Sequence, residues 1–151
     1  MALPPSVTKV SRDGNVTFTS NVDRAKYSIN ELSRRALFDI AKFLRKEMIL
    51  ELRKLPGMRK SKRIYNSAQY WVRRQEADLL IGFKHGTWYG IQQEFGDRNQ
   101  PKRSILRNAV YPNIATIRLI TGKYLSAVED ENRALGLISE DNYTSEGKMD
   151  E

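Results

Sequence analysis

The amino-acid sequence predicts an α+β fold: a small antiparallel sheet of three to four strands packed against a long N-terminal helix, with C-terminal helices after it. Three observations predict it. Apolar residues recur at spacings of three and four across residues 22–55, with no Pro or Gly among them. The period then shifts to strand-like runs across residues 64–83. Helical spacing returns from Ile105 onward. A length of 151 residues suits one domain, and 40% hydrophobic against 29% charged residues is an ordinary globular balance.

Residues 1–14, with Pro4 and Pro5, read as an N-terminal arm and not as a core element. After the Asp13-Gly14 turn, residues 15–19 alternate, with Val16 and Phe18 on one face, and predict a short strand. Asn21 or Asp23 can cap the long helix. One of its stripes is Val22, Ala25, Ile29, Leu32, Ala36, Ile40 and Phe43. A second adjoins it, with Leu37, Ala41, Leu44, Met48, Leu52 and Leu55, and Pro56-Gly57 stops the helix. At about 1.5 Å per residue such a helix is about 50 Å long, more than a domain of this size requires. Its apolar face broadens toward the C-terminal half. That half is therefore expected to pack on the sheet, and the N-terminal half to reach a neighbouring subunit.

Ile64, Tyr65, Tyr70, Trp71 and Val72 are strand formers, and Leu79, Ile81 and Phe83 alternate. Glu76-Ala77-Asp78 between them predicts a hairpin turn. Lys84-His85-Gly86-Thr87 is a second turn, and Trp88, Tyr89, Ile91 and Phe95 follow as either a strand or a helical turn. Pro101 suits the first turn of a short helix carrying Ile105, Leu106, Ala109 and Val110. Tyr111-Pro112 breaks it. Ile114, Ile117, Thr121, Tyr124 and Val128 then define a last helix, with Gly136 near its end. The chain divides into the arm, a single α+β domain over residues 15–138, and an acidic tail over residues 139–151.

Composition excludes much chemistry. With no Cys and only His85, there is no disulfide, thiolate nucleophile or Cys/His zinc site, and a Ser-His-Asp triad would have to run through that histidine. No apolar run approaches the ~20 residues of a membrane span. The N-terminus lacks the basic and apolar regions of a signal peptide, so a soluble protein of a reducing cytoplasm is expected. Gly122-Lys123 fails as a phosphate loop, since position 117 is Ile and position 124 is Tyr; the glycines at 82, 86, 90 and 96 do not make a dinucleotide fingerprint. His85, in a Gly-flanked turn, reads as structural or solvated. Glu76 and Asp78 read as a polar turn rather than metal ligands. Glu94, beside Phe95, is a general base if buried and otherwise a hydrogen-bonding or subunit-contact residue. Trp71, Trp88, Tyr70, Tyr89 and Phe95 suit a core or a subunit contact.

Charge is uneven. Residues 1–128 carry 24 Lys and Arg against 10 Asp and Glu, a net of +14; residues 129–151 carry 2 against 8, a net of −6. Such asymmetry suits a polyanion partner, subunits that pair body to tail, or simple solubility. The densest basic stretch, Arg53, Lys54, Arg59, Lys60, Lys62 and Arg63, has no acid between Glu51 and Glu76. Broken by Pro56-Gly57, it reads as a loop suited to phosphates, to a solvated hinge or to an acidic neighbouring subunit.

The ordered set Tyr89, Glu94-Phe95-Gly96, Pro101 and Ile105-Leu106-Arg107-Asn108-Ala109 resembles the signature of the head–tail joining, or tail-completion, proteins of long-tailed bacteriophages, often called minor capsid proteins. Their pattern is an aromatic, Glu-Phe-Gly, a short loop, Pro, and an aromatic-Leu-Arg-Pro-Ala helix start. Ile64-Tyr65-Asn66-Ser67 resembles the end of their basic linker. Asp97, Ile105 and Asn108 depart from the usual hydroxyl residue, Phe and Pro. The resemblance implies a virion protein, assembled in the host bacterial cytoplasm, that forms a hexameric or dodecameric ring at the neck or tail end. Its neighbours would be the connector or head-completion protein and the tail tube or tail terminator, with genomic DNA in the lumen. It implies no enzymatic activity, no cofactor, no metal and no membrane. The residues expected at subunit or partner interfaces are Arg59, Lys60, Lys62, Arg63, Trp88, Tyr89, Glu94, Phe95, Gly96, Pro101 and Arg107. Two rival readings exist. One is a stand-alone nucleic-acid-binding protein using the basic loop with Tyr65, Tyr70 and Trp71 as a stacking surface. The other is an enzyme acting through His85 and Glu94.

Overall fold

The computed structural model describes residues 4–11, 14, 16–55, 64–73 and 76–139. The chain is mixed α+β, built on one long helix. Two strands open it, β1 (Val7–Val10) and β2 (Thr17–Ser20), followed by α1 (Val22–Arg53). A 3-10 turn (Ile64–Ser67) leads into β3 (Ala68–Arg73) and β4 (Asp78–Phe83). The helices α2 (Trp88–Phe95), α3 (Ile105–Val110), α4 (Ile114–Leu125) and α5 (Glu131–Ser139) complete it, with a 3-10 turn (Tyr111–Asn113) between α3 and α4.

The long helix forms as its uninterrupted apolar spacing requires. It runs 32 residues, with Asn21 at its N-cap position and Asp23 in its first turn. Its buried apolar positions, Leu32, Ala36, Ile40, Ala41, Leu44, Met48 and Leu52, fall along one face at helical spacing. Two apolar clusters share that face. Toward its C-terminal end Met48 and Leu52 pack with Ile64, Ala68, Ile105 and Ala109. Toward its N-terminal end Leu32 and Ala36 pack with Tyr124, Ala127, Ala134 and Leu137. The C-terminal half thus lies on the β3–β4 hairpin, as its apolar width predicts. The buried face of the N-terminal half is covered by α4 and α5 of its own chain, while Val22 and Ile29 stay exposed. Polar ties reinforce this cover: Tyr124 Oη donates to the Asp39 carboxylate, and Arg35 donates to the Ile138 carbonyl near the C-terminus of α5.

The sheet is smaller than expected. Among the described residues there are two separate two-stranded antiparallel sheets, not one sheet of three to four strands. Within β3–β4, Ala68 faces Phe83, Tyr70 faces Ile81 and Val72 faces Leu79. This set packs toward α1, where Arg45 Nε donates to the Ala68 carbonyl at 3.0 Å. The alternate set, Gln69, Trp71 and Arg73 opposite Gly82, Leu80 and Asp78, turns outward. In the other sheet Val7 pairs with Ser20, Thr8 with Thr19, Lys9 with Phe18 and Val10 with Thr17. Part of the predicted arm is therefore a strand.

Of the strand and the helical turn that residues 88–95 allow, the chain forms the helix, and Gly90 lets it approach the Phe83 ring: a Cβ there would stand 2.7 Å from Phe83 Cγ. One further expectation needs correction. The last helical stretch is two helices, since the chain turns through residues 126–130 and α5 folds back on Leu32. The acidic tail from residue 140 lies outside the described residues.

Truncating either cluster should destabilise the whole chain, because both rest on one helix. Leu52→Ala and Leu32→Ala, at 1% and 2% exposure, should each cost about 2–5 kcal/mol. Chemical denaturation followed by circular dichroism should show one shared transition for each variant. Loss of one cluster alone, as a separate transition, would contradict this.

Candidate assembly surface

The residues of the Glu-Phe-Gly segment come together as a clasp between α2 and α3. The helix α2 has two faces. Gly90 and Gln93 are buried, and Tyr89 is half-buried against the Met48–Leu52 cluster. On the other side Trp88, Ile91 and Phe95 are 66%, 61% and 71% exposed. At 100° per residue these three fall within about 60° of one another, forming a single apolar stripe. The Trp88 and Tyr89 rings meet edge to face at 6.0 Å.

Glu94 lies behind the stripe and holds the clasp closed. Its Oε2 accepts the backbone N–H of Leu106 at 2.8 Å. That donor is one of the free N–H groups in the first turn of α3, where a negative charge is favoured. The Glu94 and Gln93 carbonyls accept the N–H groups of Ser104 and Arg103, at 3.3 and 3.0 Å. Gln93 Nε2 also donates to Gln100 Oε1 at 2.6 Å. Glycine is required at position 96. Its φ is +80°, and an added Cβ would stand 2.8 Å from the Lys102 backbone nitrogen. The intervening loop is closed by the Asp97 and Gln100 N–H and carbonyl groups, at 2.9 and 3.1 Å.

Pro101 is exposed within this loop and precedes α3 by several residues, so it does not occupy the first turn of a helix. Ile105 is buried among Met48 and Leu52 and fixes α3 to α1. Arg107 is exposed and lies over the Tyr111 ring, 5.3 Å from its centroid. Of the expected interface residues, Trp88, Phe95, Pro101 and Arg107 are exposed, Glu94 and Gly96 form the clasp, and Tyr89 packs against the Met48–Leu52 cluster. Arg59, Lys60, Lys62 and Arg63 lie outside the described residues. Ile91, the centre of the stripe, was missed by sequence reasoning; a helical wheel over residues 88–95 would have found it.

Other candidate residues serve local roles. His85 is exposed in the turn before α2, and no hydrogen bond joins it to Glu94 among the described residues. Glu76 and Asp78 both clamp Arg73 across the hairpin: Arg73 Nε donates to Asp78 Oδ1 at 2.7 Å, and further contacts join it to Asp78 Oδ2 and Glu76. Among the described residues no three His, Asp or Glu gather where a metal ion could be held. Tyr65, Tyr70 and Trp71 do not form a stacking surface. Tyr65 packs against the Met48–Leu52 cluster and is capped by Arg53 at 5.4 Å, while Tyr70 and Trp71 point to opposite faces of β3. No helix is long and apolar enough to cross a membrane among the described residues.

Comparison with known protein families, with curated proteins and with solved structures finds no match.

Glu94→Ala should remove an acceptor from a part-buried helix start and lower stability by about 1–3 kcal/mol. Glu94→Gln, which keeps an acceptor oxygen, should recover most of that loss. Thermal melts of both variants check this; equal loss in the two would mean that charge, not acceptance, holds the clasp.

The hairpin clamp has a pH signature. Hydrogen bonding and the charge of Arg73 hold the Asp78 carboxyl below its ordinary range. Its contribution is therefore complete above the ordinary carboxylate pKa and fades as pH falls through the lowered one. The pair is exposed, so the effect should be small and screened by salt. Asp78→Asn should lower stability slightly at neutral pH and converge with the parent in acid, as read by melts across that range.

Proposed function

We propose that this chain is a structural subunit that closes into a homo-oligomeric ring at the head–tail junction of a long-tailed bacteriophage, with the genome passing through the lumen. The observation that carries this reading is the Trp88–Ile91–Phe95 stripe: three large apolar side chains, uncovered on one helix face, mounted on the segment that resembles the phage signature. A monomer rarely leaves such a patch to water. The clasp behind it holds the stripe rigid, so docking orders little that is not already ordered.

A contact between this stripe and a different surface of the next copy is heterologous, and such contacts close into rings when the rotation permits. The excess of positive charge over residues 1–128 and of negative charge beyond them supports pairing between neighbours or between stacked rings. The basic segment of residues 53–63 is assigned to an adjacent ring rather than to the lumen. A strongly basic lumen would retard DNA passage, since each phosphate contact adds affinity.

The test is native mass measurement of the purified chain, alone and with connector and tail components. Ile91→Asp with Phe95→Asp should abolish the oligomer while leaving the circular dichroism spectrum intact. In phage assembly the same variant should accumulate unjoined heads and tails. Charge reversal at Arg59, Lys60, Lys62 and Arg63 should block joining as well. A monomer that binds DNA with a steep salt dependence would replace this reading with the nucleic-acid-binding one.

A further inference from the structure

The β1–β2 hairpin is incomplete as it stands. Its strands have four residues each, and every residue except Ser20 is exposed. Val7, Val10 and Phe18 within it, and Val16 beside it, are uncovered. An isolated two-stranded hairpin is marginal in water. The Ser11 N–H donates to the Val16 carbonyl at 2.8 Å, which makes Val10 and Thr17 a pair without hydrogen bonds between them. By alternation so are Thr8 and Thr19, whose hydroxyls lie 3.5 Å apart. The backbone N–H groups of Thr8, Val10, Thr17 and Thr19 therefore point outward, along edges with no strand partner among the described residues.

The chain carries a second surface with the same need. The β3–β4 hairpin also has two open edges among the described residues. Its outward face holds Trp71 opposite Leu80, at 57% and 50% exposure. The two incomplete sheets could satisfy each other, but within the chain they are separate. Only Asn21 lies between β2 and α1, whereas β3 is anchored through the Ala68 carbonyl to Arg45, 23 residues along that helix.

We infer that a second copy of this chain completes the hairpin: β1–β2 of one subunit adds to one open edge of β3–β4 in the next, extending that sheet beside the Trp71–Leu80 pair. The helix α1 acts as the spacer that makes the exchange intermolecular. Each subunit has one donor and one acceptor at opposite ends of that spacer, which is the arrangement of a heterologous, ring-closing contact. Main-chain hydrogen bonds would supply register, and the Trp71–Leu80 pair an apolar footing. The inference rests on the ring-forming reading for its neighbour, but concerns a surface separate from the α2 stripe.

The absence of cysteine makes the test clean. Full-length chain carrying Thr17→Cys and differently tagged full-length chain carrying Leu80→Cys are co-assembled and treated with a bis-maleimide. The expected product is a covalent heterodimer at twice the 17.5 kDa chain mass. Adding Phe18→Asp or Trp71→Ala, both at exposed positions, should cut its yield by about tenfold, about 1.4 kcal/mol of contact, with the circular dichroism spectrum unchanged. An oligomer seen by native mass that gives no such product overturns the inference and leaves the ring reading standing. A chain that stays monomeric at every concentration overturns both. Reaction of the Thr17→Cys probe with a connector or tail protein instead of a second copy assigns the hairpin to that partner and also overturns it.

Discussion

A helix of 32 residues is about 48 Å long, and covering one face of it is the constraint on which the remaining architecture depends. A single small cluster cannot span that length, so the chain builds two, one at each end. Small residues occupy key positions, with Ala36 toward one cluster and Ala41 fully buried between them. They let neighbouring elements approach the helix backbone, while Leu32, Leu44, Met48 and Leu52 supply the volume. The N-terminal cluster is assembled from elements distant in sequence, α4 and α5, and is tied by Arg35 and Tyr124. The C-terminal cluster is assembled from the hairpin and α3. Each depends on the helix staying straight and continuous between them, which the absence of Pro and Gly allows.

This division has a consequence for the surface. Elements that close the clusters have their inner faces occupied, and a short element has little else to offer. The helix α2 is the clearest case. Gly90 permits contact with Phe83, Gln93 bonds inward, and the opposite face is left with Trp88, Ile91 and Phe95. The clasp formed by Glu94, Gly96 and the Leu106 N–H then fixes the orientation of that face relative to α3. A patch held by backbone hydrogen bonds and a positive-φ glycine is a poor candidate for adaptable binding and a good one for a defined, repeated contact. That is the property a ring subunit needs, and it supports the assembly reading over one in which the aromatic residues meet nucleic acid individually.

The long helix and the β3–β4 hairpin were legible because their patterns admit one period each. Residues 22–55 match helical spacing throughout, and Leu79, Ile81 and Phe83 match only alternation. The helix α2 was left open between a strand and a helical turn. Trp88, Tyr89, Ile91 and Phe95 are strand formers, Gly90 and Gly96 weaken a helix, and the deciding contact, Gly90 on Phe83, is tertiary. The first strand was hidden because Val7 and Val10 fall on opposite faces, so no apolar side announces it. The candidate residues divide in the same way. Glu94 was visible as a hydrogen-bonding acid, but its partner, the Leu106 N–H, lies 12 residues on and is set by the loop. The exposure of Trp88 and Phe95 was not readable at all, since a large aromatic in a sequence looks the same whether it faces a core or a neighbour.

In the proposed ring, folding and assembly would be linked. Surfaces that bind only the folded state stabilise it by mass action, so each contact with a neighbour adds to the stability of the protomer that makes it. The two uncovered surfaces differ in what they gain from this. The α2 stripe is already held by the clasp, so docking would remove apolar area from water at little ordering cost. The β1–β2 hairpin is formed but has no packed face of its own, so docking would supply the burial its strands lack within the chain. In the proposed ring the stripe is therefore the surface suited to setting affinity between subunits, while the hairpin would add main-chain register to a contact already made.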